Sequence, residues 1–345
     1  MNKEVIQERI KVAVDAMGGD FAPKEIVEGV NLAIKAHPEL EVKLYGDTEQ
    51  INKYLVKSDR VEVIHAAEKL DMGEKDPVMA IRRGKELSMV KAFKAVHDKE
   101  CLGAVTAGPT QGVVVAAHMI VKKLPGMARI ALCPTLPLIG GKHRLLLDCG
   151  GNVEIRPEHL VQIAHFASSY LKEASGIEKP VVGLINIGSE PGKGREQDRI
   201  THQLLTEDPD INFYGNIEPK EMLYSECDIL LAEGYQGNLV MKAVEGTAKA
   251  VGGVLKEEIN NSFWAKIGYV LFMRKAMNKF KKRMNSDEVG GSLLFGVDGV
   301  IVKAHGSSSA YAFSKGIERC MEAIKSKFIE TMRAKLEEEN KNEWF

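Results

Sequence analysis

Short runs of β-branched and aliphatic residues recur along this 345-residue chain, and most are followed by a glycine-rich turn and a longer segment with helical periodicity. This alternation is typical of parallel strands joined by crossover helices. Several runs are almost continuously apolar, which indicates strands covered by helices on both faces. The sequence therefore predicts an α/β protein, a three-layer α/β/α sandwich with a mostly parallel sheet. The predicted strands span residues 11–16, 41–45, 61–65, 103–106, 145–148, 181–187, 211–214, 229–232 and 300–304.

Segments with helical periodicity follow many of these strands. No internal repeat is visible, and no Gly/Ser/Pro-rich linker divides the chain. We therefore expect one catalytic unit over residues 11–330, built either as a single body or as two interleaved lobes, and a tail over residues 331–345. The predicted helices span residues 23–36, 77–97, 111–123, 157–173, 196–206 and 239–258.

The charge balance and the cysteines exclude several classes of protein. With 47 Lys and Arg against 48 Asp and Glu, the chain lacks the net positive charge that holds nucleic acid. Its first residues are charged, unlike a secretion signal, and no apolar run approaches the roughly 20 residues of a membrane-spanning helix. The five cysteines are widely spaced without a CxxC pair, which favours buried free thiols over disulfides or zinc. We expect a cytoplasmic protein without a metal.

One segment, residues 260–284, departs from this balance because it holds seven Lys or Arg and no Asp or Glu. Its apolar residues recur at helical spacing, with most cations on another arc. Two interpretations stay open: a helix docked on the body or on a second subunit, and a helical projection attracted to an anionic membrane surface. Gly268 is a candidate break in this helix. The apolar candidates for membrane contact are Phe263, Trp264, Ile267 and Leu271.

Four glycine-rich turns follow predicted strands, where ligands of parallel α/β sheets gather. Glycine lets the backbone approach a ligand, and free N–H groups at a helix start attract anions, so these turns suit a small oxyanion such as phosphate. None matches the P-loop or the dinucleotide-binding pattern, so we expect no nucleotide cofactor. The turns are AMGGD (16–20), TAGPTQG (106–112), DCGGN (148–152) and NIGSEPGKGR (186–195).

Three polar residues stand out beside these turns. Lys193 lies between two glycines, where its ammonium can meet an anion, although it can equally be a solvated loop lysine. His305 follows the last predicted strand and precedes a serine-rich helix start, so it can donate to an oxyanion or a leaving group. Asn238 is expected to cap the helix that begins near residue 239.

Several longer segments, taken in order, resemble the phosphate acyltransferase family known as PlsX. Together they span roughly residues 11–330, and their fixed order is far more specific than any single glycine turn. The segments are VAVDAMGGDFAP (12–23), AIRRGKELSM (80–89), LLLDCGGNVEIRPEHLVQIA (145–164), VGLINIG (182–188), FYGNIE (213–218), EGYQGNLVMKAVEG (233–246) and GGSLLFGVDGVIVKAHGSSSA (290–310).

The resemblance implies a homodimeric α/β/α enzyme related in fold to isocitrate and isopropylmalate dehydrogenases and to phosphotransacetylases. It implies transfer of a fatty acyl group from acyl carrier protein to inorganic phosphate, without a cofactor. It also implies peripheral membrane association through residues 260–284, and delivery of the acyl phosphate to a downstream glycerol-3-phosphate acyltransferase.

The resemblance also supplies candidate site residues. The glycine turns and Lys193 would hold phosphate, and Asn152, Asn216 or His305 would stabilise the tetrahedral oxyanion, with the individual roles left open. The catalytic candidates are Lys193, His305, Asn152 and Asn216. The candidates for phosphate or substrate binding are Asp15, Gly18, Gly19, Gly108, Thr110, Gly150, Gly151, Gly234, Gly237, Asn238 and Lys242.

The chain departs from the usual family sequence at several turns. Pro109 stands where the family has asparagine, Gln111 and Gly112 replace Gly-Ala, and Glu233 replaces an aspartate. Three alternatives therefore stay open. They are an acyl phosphate-forming enzyme with another thioester donor, such as a short-chain phosphotransacetylase, a non-catalytic scaffold for lipid enzymes, and a dehydrogenase with the same fold.

Overall fold

The computed structural model describes residues 9–137, 143–277, 279, 288 and 290–342. In this part of the chain, twelve strands form two sheets, and helices connect the parallel strands, which confirms the predicted α/β class. The strands are β1 (Ile10–Asp15), β2 (Leu40–Gly46), β3 (Val61–His65), β4 (Gly103–Thr106), β5 (Ala131–Cys133), β6 (Thr135–Pro137), β7 (His143–Leu147), β8 (Val181–Ile185), β9 (Asn212–Ile217), β10 (Ile229–Leu231), β11 (Ser292–Phe295) and β12 (Val300–Lys303).

The first sheet has seven strands in the order β3-β2-β1-β4-β12-β11-β5. Its first five strands are parallel, and β11 runs antiparallel to both of its neighbours. The register pairs Val14 with Val105 and Thr106 with Lys303, so the carboxyl ends of β1, β4 and β12 lie side by side. The turns that follow these three strands therefore meet at one edge.

The second sheet has five strands in the order β6-β7-β10-β8-β9, with β6 alone antiparallel to its neighbour. Leu231 pairs with Leu147 on one side and with Leu184 on the other. The turns after β7, β10 and β8 thus share an edge as well. Every predicted strand overlaps an observed one. The sequence missed β5, β6 and β11, because runs of three or four residues carry too little pattern to identify a strand.

Helices pack around both sheets, and two of them continue directly into single π-helical turns. The helices are α1 (Lys24–Ala36), α2 (Thr48–Asn52), α3 (Pro77–Arg83), α4 (Ser88–His97), α5 (Thr110–Ala116), α6 (Pro157–Ser175), α7 (Glu196–Glu207), α8 (Gly234–Asn261), α9 (Phe263–Gly268), α10 (Ala310–Lys325) and α11 (Phe328–Asn342), with π-helical turns at Ala117–Val121 and Tyr269–Met273.

The single helix predicted over residues 77–97 is wrong, because the chain leaves the helix after Arg83. The Ser88 amide donates to the Glu68 carbonyl at 2.9 Å, and the Glu68 amide donates to the Glu86 carbonyl at 3.2 Å. Residues 84–87 form a turn, in which the Leu87 amide donates to the Gly84 carbonyl at 3.2 Å, and Leu87 pairs with Glu68 in an isolated β-bridge. A side chain at Gly84 would stand 2.3 Å from Leu87 Cδ1, so the bend requires glycine.

Helix α8 begins earlier than predicted, at Gly234, with Glu233 at its N-cap. Asn238 therefore lies inside the helix, and its predicted role as a cap is wrong. The predicted break at Gly268 is also wrong, because the helical backbone continues through Tyr269. The break comes instead at Ser262, whose hydroxyl accepts a hydrogen bond from the Ala265 amide at 3.2 Å and starts α9.

The core contains an aromatic cluster that joins the two sheets. Phe295 of the first sheet packs against Phe166 and Tyr170 of α6, with ring centroids 5.0 and 5.2 Å apart, and Phe328 of α11 closes the group. Helix α11 also buries Met332 against the body, so most of the predicted tail is a docked helix. Residues 343–345 lie outside the described residues.

The second half of α8, together with α9 and the π-helical turn after it, forms a helical hairpin, residues 246–277, none of which is fully buried. The predicted membrane candidates Phe263, Trp264 and Leu271 are 71%, 78% and 66% exposed, and Ile267 is partly buried. The rest of the predicted segment, residues 278 and 280–284, lies outside the described residues. None of the helices in the described part of the chain combines the length and apolar character needed to cross a membrane.

Candidate active site

Asp15 ends β1 and connects three segments at the edge of the first sheet. It is 1% exposed, and its carboxylate accepts hydrogen bonds from the Ser88 and Thr106 hydroxyls, each at 2.6 Å, and from the Met17 amide at 3.2 Å. Burial raises the pKa of Asp15 above its usual range, while these donors oppose the rise. Asp15 therefore fixes the positions of the turns after β1 and β4.

The predicted glycines of these turns are packed against each other. A Cβ at Gly18 would lie 2.5 Å from Asp15 Oδ2, and a Cβ at Gly108 would lie 2.2 Å from the methyl group of Met89. Gly19 has a φ of +108° and faces the carbonyl oxygen of Gly306. The Asp20 amide donates to the same Gly306 carbonyl at 2.8 Å, which brings the turn after β1 against the turn after β12, where His305 lies.

Asp148 follows β7 in the second sheet and organises its own turn. It is fully buried, and its two oxygens accept from the amides of Leu132, Gly151 and Asn152 and from the Asn152 side chain, at 2.7 to 2.9 Å. Burial raises the pKa of Asp148, and the four donors oppose that rise. Because the Asn152 Nδ2 group also donates to the Ile130 carbonyl at 2.7 Å, this side chain holds the turn in place.

Two predicted glycines at the start of α8 allow that helix to press onto the Asp148 turn. A Cβ at Gly234 would lie 2.0 Å from the Asn152 carbonyl oxygen, and one at Gly237 would lie 2.0 Å from that of Asp148. Gly150, with a φ of +113°, lies against the side-chain amide of Asn238. Asn238 is therefore brought to the turn by the helix rather than by a cap.

A cavity of about 230 Å³ lies between the two sheet edges. Four of the predicted site residues line it: Thr110, Asn238, Lys242 and His305. Lys303, Glu245 and Ser308 line it too, although the sequence analysis did not select them. The ionisable side chains around this cavity carry a surplus of positive charge, which suits an anionic ligand.

Lys303, the last residue of β12, is the cation most enclosed by this cavity. It is partly buried, and no described residue accepts a hydrogen bond from its ammonium group or forms an ion pair with it. Burial lowers the pKa of Lys303 below its usual value, and Lys242 lowers it further, while Glu245 and Asp20 oppose the shift. A buried ammonium without a partner is a strong binding group for an anion.

His305 stands two residues beyond, and its ring is held in a defined orientation. The Ser307 amide donates to His305 Nδ1 at 3.2 Å, and the Ser307 hydroxyl lies 2.9 Å from the same atom. Since Nδ1 accepts, the neutral imidazole carries its proton on Nε2. That N–H is available as a donor at the cavity.

Cys149, which also lines the cavity, is not poised as a nucleophile. It is buried, and desolvation raises the pKa of its thiol to about 12. All five cysteines are free and buried, as the sequence predicted. Among the described residues, no group of three or more His, Cys, Asp or Glu side chains is arranged to hold a metal ion.

The fourth glycine-rich turn, residues 186–195, lies beside the second sheet and does not line the cavity. Lys193 is 50% exposed, with its Nζ 4.0 Å from Glu190. The Asn216 Nδ2 group donates to the Glu190 carbonyl at 2.8 Å, while the Asn216 Oδ1 atom is buried without a partner. Arg195 pairs with Asp198, and it also ties the turn to the start of α8 by donating to Glu233 at 2.6 Å.

The structure therefore divides the predicted site residues into three groups. Thr110, Asn238, Lys242 and His305 meet in the cavity. The glycines, Asp15 and Asn152 support it from behind, while Lys193 lies on a neighbouring turn and Asn216 lies at the end of β9 and donates to that turn. Lys303 was missed although it precedes His305 by two residues, because a lysine at a strand end carries no motif. The feature that identifies Lys303 is the pairing of β12 with β4, which places Lys303 beside Thr106.

Comparison with known proteins supports an enzymatic assignment. The family model described as "Fatty acid synthesis protein" matches residues 10–331. A phosphate acyltransferase of Acholeplasma laidlawii is 47% identical over 311 residues, which cover 90% of this chain and 93% of that protein. A phosphate acyltransferase of Staphylococcus haemolyticus is 42% identical over 324 residues, which cover 94% and 97%.

Solved structures with low sequence identity share the fold. A branched-chain phosphotransacylase from Enterococcus faecalis superposes with a TM-score of 0.57 at 15% identity, covering 91% of this chain and 99% of that one. A 4-hydroxythreonine-4-phosphate dehydrogenase from Klebsiella pneumoniae gives 0.52 at 11% identity, covering 92% and 100%. The expected relation in fold to phosphotransacetylases and to a class of dehydrogenases is confirmed.

Proposed function

We infer the activity from one premise: this chain belongs to the fatty acid synthesis protein family. Its relatives at 47% and 42% identity are phosphate acyltransferases. It is an acyltransferase that converts acyl-acyl carrier protein and inorganic phosphate into acyl phosphate and free carrier protein, for phospholipid synthesis. The observation that supports the position of the reaction is the ammonium group of Lys303, which has no hydrogen-bond partner among the described residues and lines a cavity between the two sheets together with His305.

The reaction needs no redox step and no covalent enzyme intermediate. A phosphate oxygen attacks the thioester carbonyl carbon, the carbon–oxygen bond forms, and the carbonyl oxygen becomes an oxyanion. Collapse of this intermediate breaks the carbon–sulfur bond, so the electron pair leaves on sulfur and the thiolate takes up a proton. The protein therefore has to hold two reactants together and stabilise negative charge.

Lys303 and Lys242 hold the phosphate, and Thr110, Asn238 and Ser308 complete its surroundings. Lys303 is partly buried and forms no ion pair with the residues that the structure describes, so an anion there replaces water without breaking such a pair. Lys193, predicted from the sequence, lies outside this cavity, on the turn of residues 186–195, where its side chain is half exposed. Asp15 and Asp148 position the turns.

His305 donates from Nε2 to the developing oxyanion or to the departing sulfur. Asn152 and Asn216 were candidates for the same task. Each of them has its Nδ2 group engaged by a backbone carbonyl, so we assign them to holding their turns in place. His305→Gln, which keeps a donor near the same position, should retain more turnover than His305→Ala, and equal losses in both variants would contradict this role.

One assay tests the function. The purified protein is incubated with acyl carrier protein thioesters of graded chain length, with and without phosphate, and released thiol and acyl phosphate are both measured. We expect thiol release that depends on phosphate and equals the acyl phosphate formed. Activity with acetyl thioesters alone would favour the short-chain alternative, no thiol release with any donor would favour the scaffold, and a change in nicotinamide absorbance would indicate a dehydrogenase.

We further propose that the protein works as a homodimer in the cytoplasm, attached to anionic membranes by the helical hairpin. An acyl phosphate is amphiphilic and is consumed by a glycerol-3-phosphate acyltransferase at the membrane, so attachment shortens its transfer. Phe263, Trp264 and Leu271 expose large apolar side chains on a hairpin that also carries Lys266, Arg274 and Lys275.

The double variant Phe263→Asp with Leu271→Asp should bind vesicles with anionic lipids at least about tenfold more weakly. The matched control, Val56→Asp with Leu102→Asp, removes exposed apolar side chains from the body, where they are 67% and 50% exposed. Equal vesicle binding by the two double variants would contradict attachment through the hairpin.

A further inference from the structure

A second cavity, of about 370 Å³, lies inside the helical hairpin. It is mostly apolar. Leu255 and Ile259 line it from α8, and Tyr269, Val270 and Met277 line it from the returning arm. We call it the hairpin groove. An open apolar groove in an otherwise exposed hairpin indicates a ligand with a substantial apolar part.

One face of α8 connects the active-site cavity to the hairpin groove. Met241, Glu245 and Ala248 line the active-site cavity, and Gly252 and Leu255 line the groove. These residues follow one another at intervals of three or four, which keeps them on a single side of the helix. A ligand can therefore extend from one cavity to the other along α8 without crossing the helix.

The dimensions of this face match an acyl chain. Ile259 lies eleven positions after Ala248, which corresponds to about 16 Å along the helix axis. One leaflet of a bilayer has a hydrocarbon layer about 15 Å deep, and that depth is the reach of a long acyl chain. Gly252 lines the groove at its end nearer the active-site cavity, and a Cβ built on it meets no atom of the described residues within 4 Å, so none of their side chains blocks this end of the groove.

We propose that the hairpin groove holds the distal part of the acyl chain while its carbonyl carbon reacts in the cavity beside Lys303. This rests on the proposed acyltransferase function and adds the element that selects acyl length. Lys256 and Lys266 border the groove, where their methylene stems extend its apolar wall while their ammonium groups reach water. The groove thus favours long acyl chains over short ones.

Gly252→Leu tests the proposal by filling the passage. Gly253→Leu is the matched control, because a Cβ there also meets nothing within 4 Å but Gly253 does not line the groove. Leucine is a better helix former than glycine, so both variants should fold, and equal melting temperatures verify this. We expect the ratio of kcat/KM for hexadecanoyl over hexanoyl carrier protein to fall about tenfold in Gly252→Leu and to stay within about twofold in Gly253→Leu.

A binding measurement separates this proposal from the proposed function. Dodecyl phosphate, below its critical micelle concentration, is an unreactive mimic of the product, and its affinity can be measured calorimetrically. We expect Gly252→Leu to bind it about tenfold more weakly than Gly253→Leu. If the unsubstituted protein releases no thiol from any donor, the proposed function fails, and the binding comparison still decides whether the groove holds an alkyl chain.

Three results would overturn the proposal. One is an unchanged chain-length ratio in Gly252→Leu, and another is an equal change in both variants. The third is a Gly252→Leu protein with altered oligomeric state by sedimentation and unaltered dodecyl phosphate affinity, which would assign the groove to contact between subunits.

Discussion

Each of the two sheets has a buried aspartate at the carboxyl edge of its strands, Asp15 in the first sheet and Asp148 in the second. The two edges differ in the groups that donate to this aspartate and in whether the nearby cation is paired. Asp148 in the second sheet accepts only from N–H groups, and nearby Arg195 is neutralised by Asp198 and Glu233. Asp15 in the first sheet accepts mainly from hydroxyl groups, and at the same edge no residue in the described part of the chain accepts a hydrogen bond from the Lys303 ammonium.

This difference indicates that the second edge holds the cavity in shape, whereas the first edge binds the substrate. At the edge of the second sheet, both oxygens of Asp148 have hydrogen-bond donors, so the turn after β7 forms a fixed wall of the cavity. At the edge of the first sheet, no carboxylate of the described residues forms a hydrogen bond with the Lys303 ammonium, although Glu245 lines the same cavity, so a substrate anion can bind there. We expect substitution of Asp148 to lower the stability of the fold and substitution of Lys303 to weaken phosphate binding.

The largest effect should come from Lys303→Met, which removes the unpaired cation and keeps its apolar length. We expect kcat/KM for phosphate to fall roughly 100- to 1,000-fold, the range found for loss of one charge-stabilising donor. Lys35→Met, on an exposed face of α1, is the control. If kcat/KM for phosphate fell no further in Lys303→Met than in Lys193→Met, the phosphate site would lie at the second edge, and the proposed difference between the two edges would be wrong.

Asp148→Asn should lower the free energy of unfolding by about 3 kcal/mol. Each Asp148 oxygen accepts from two N–H groups, so a side-chain NH2 in either orientation faces two donors in a buried site. Urea unfolding followed by circular dichroism measures the change. A cost below about 1 kcal/mol would show that the turn relaxes around the substitution.

Asp15→Asn should cost less, about 1 kcal/mol. Asp15 Oδ2 accepts from the Thr106 hydroxyl, which can rotate and accept from the new NH2 group. Urea unfolding of Asp15→Asn and Asp148→Asn under the same conditions compares an aspartate held mainly by hydroxyl donors with one held by N–H donors. Equal losses in the free energy of unfolding would contradict the proposed difference between the two kinds of donor.

The smallest effect is a shift in pH dependence. Because burial lowers the pKa of Lys303, the charge that binds phosphate is present below that pKa and is lost as the pH rises through it, at a lower pH than for an exposed lysine. Phosphate KM should therefore rise at alkaline pH. Lys303→Arg, which stays charged, should show no such rise, and since the ionisation of phosphate is common to both proteins, identical profiles would contradict the role of the lysine.

The sequence predicted the parallel strands well because their apolar runs are long enough to be recognised, as in β1 and β12. It failed at residues 77–97, where the helical pattern continues but the backbone pairs with Glu68 instead. It also favoured Lys193 over Lys303, since glycines flank Lys193 and no motif marks Lys303. Only the register of β12 beside β4, a long-range pairing, places Lys303 in the cavity.

The position of bound phosphate tests the central claim most directly. A crystal of the protein soaked in phosphate should show a tetrahedral ion within hydrogen-bonding distance of Lys303 Nζ, between the turn after β12 and the start of α8. An ion bound beside Lys193 on the turn of residues 186–195, with the cavity at Lys303 holding none, would contradict the account.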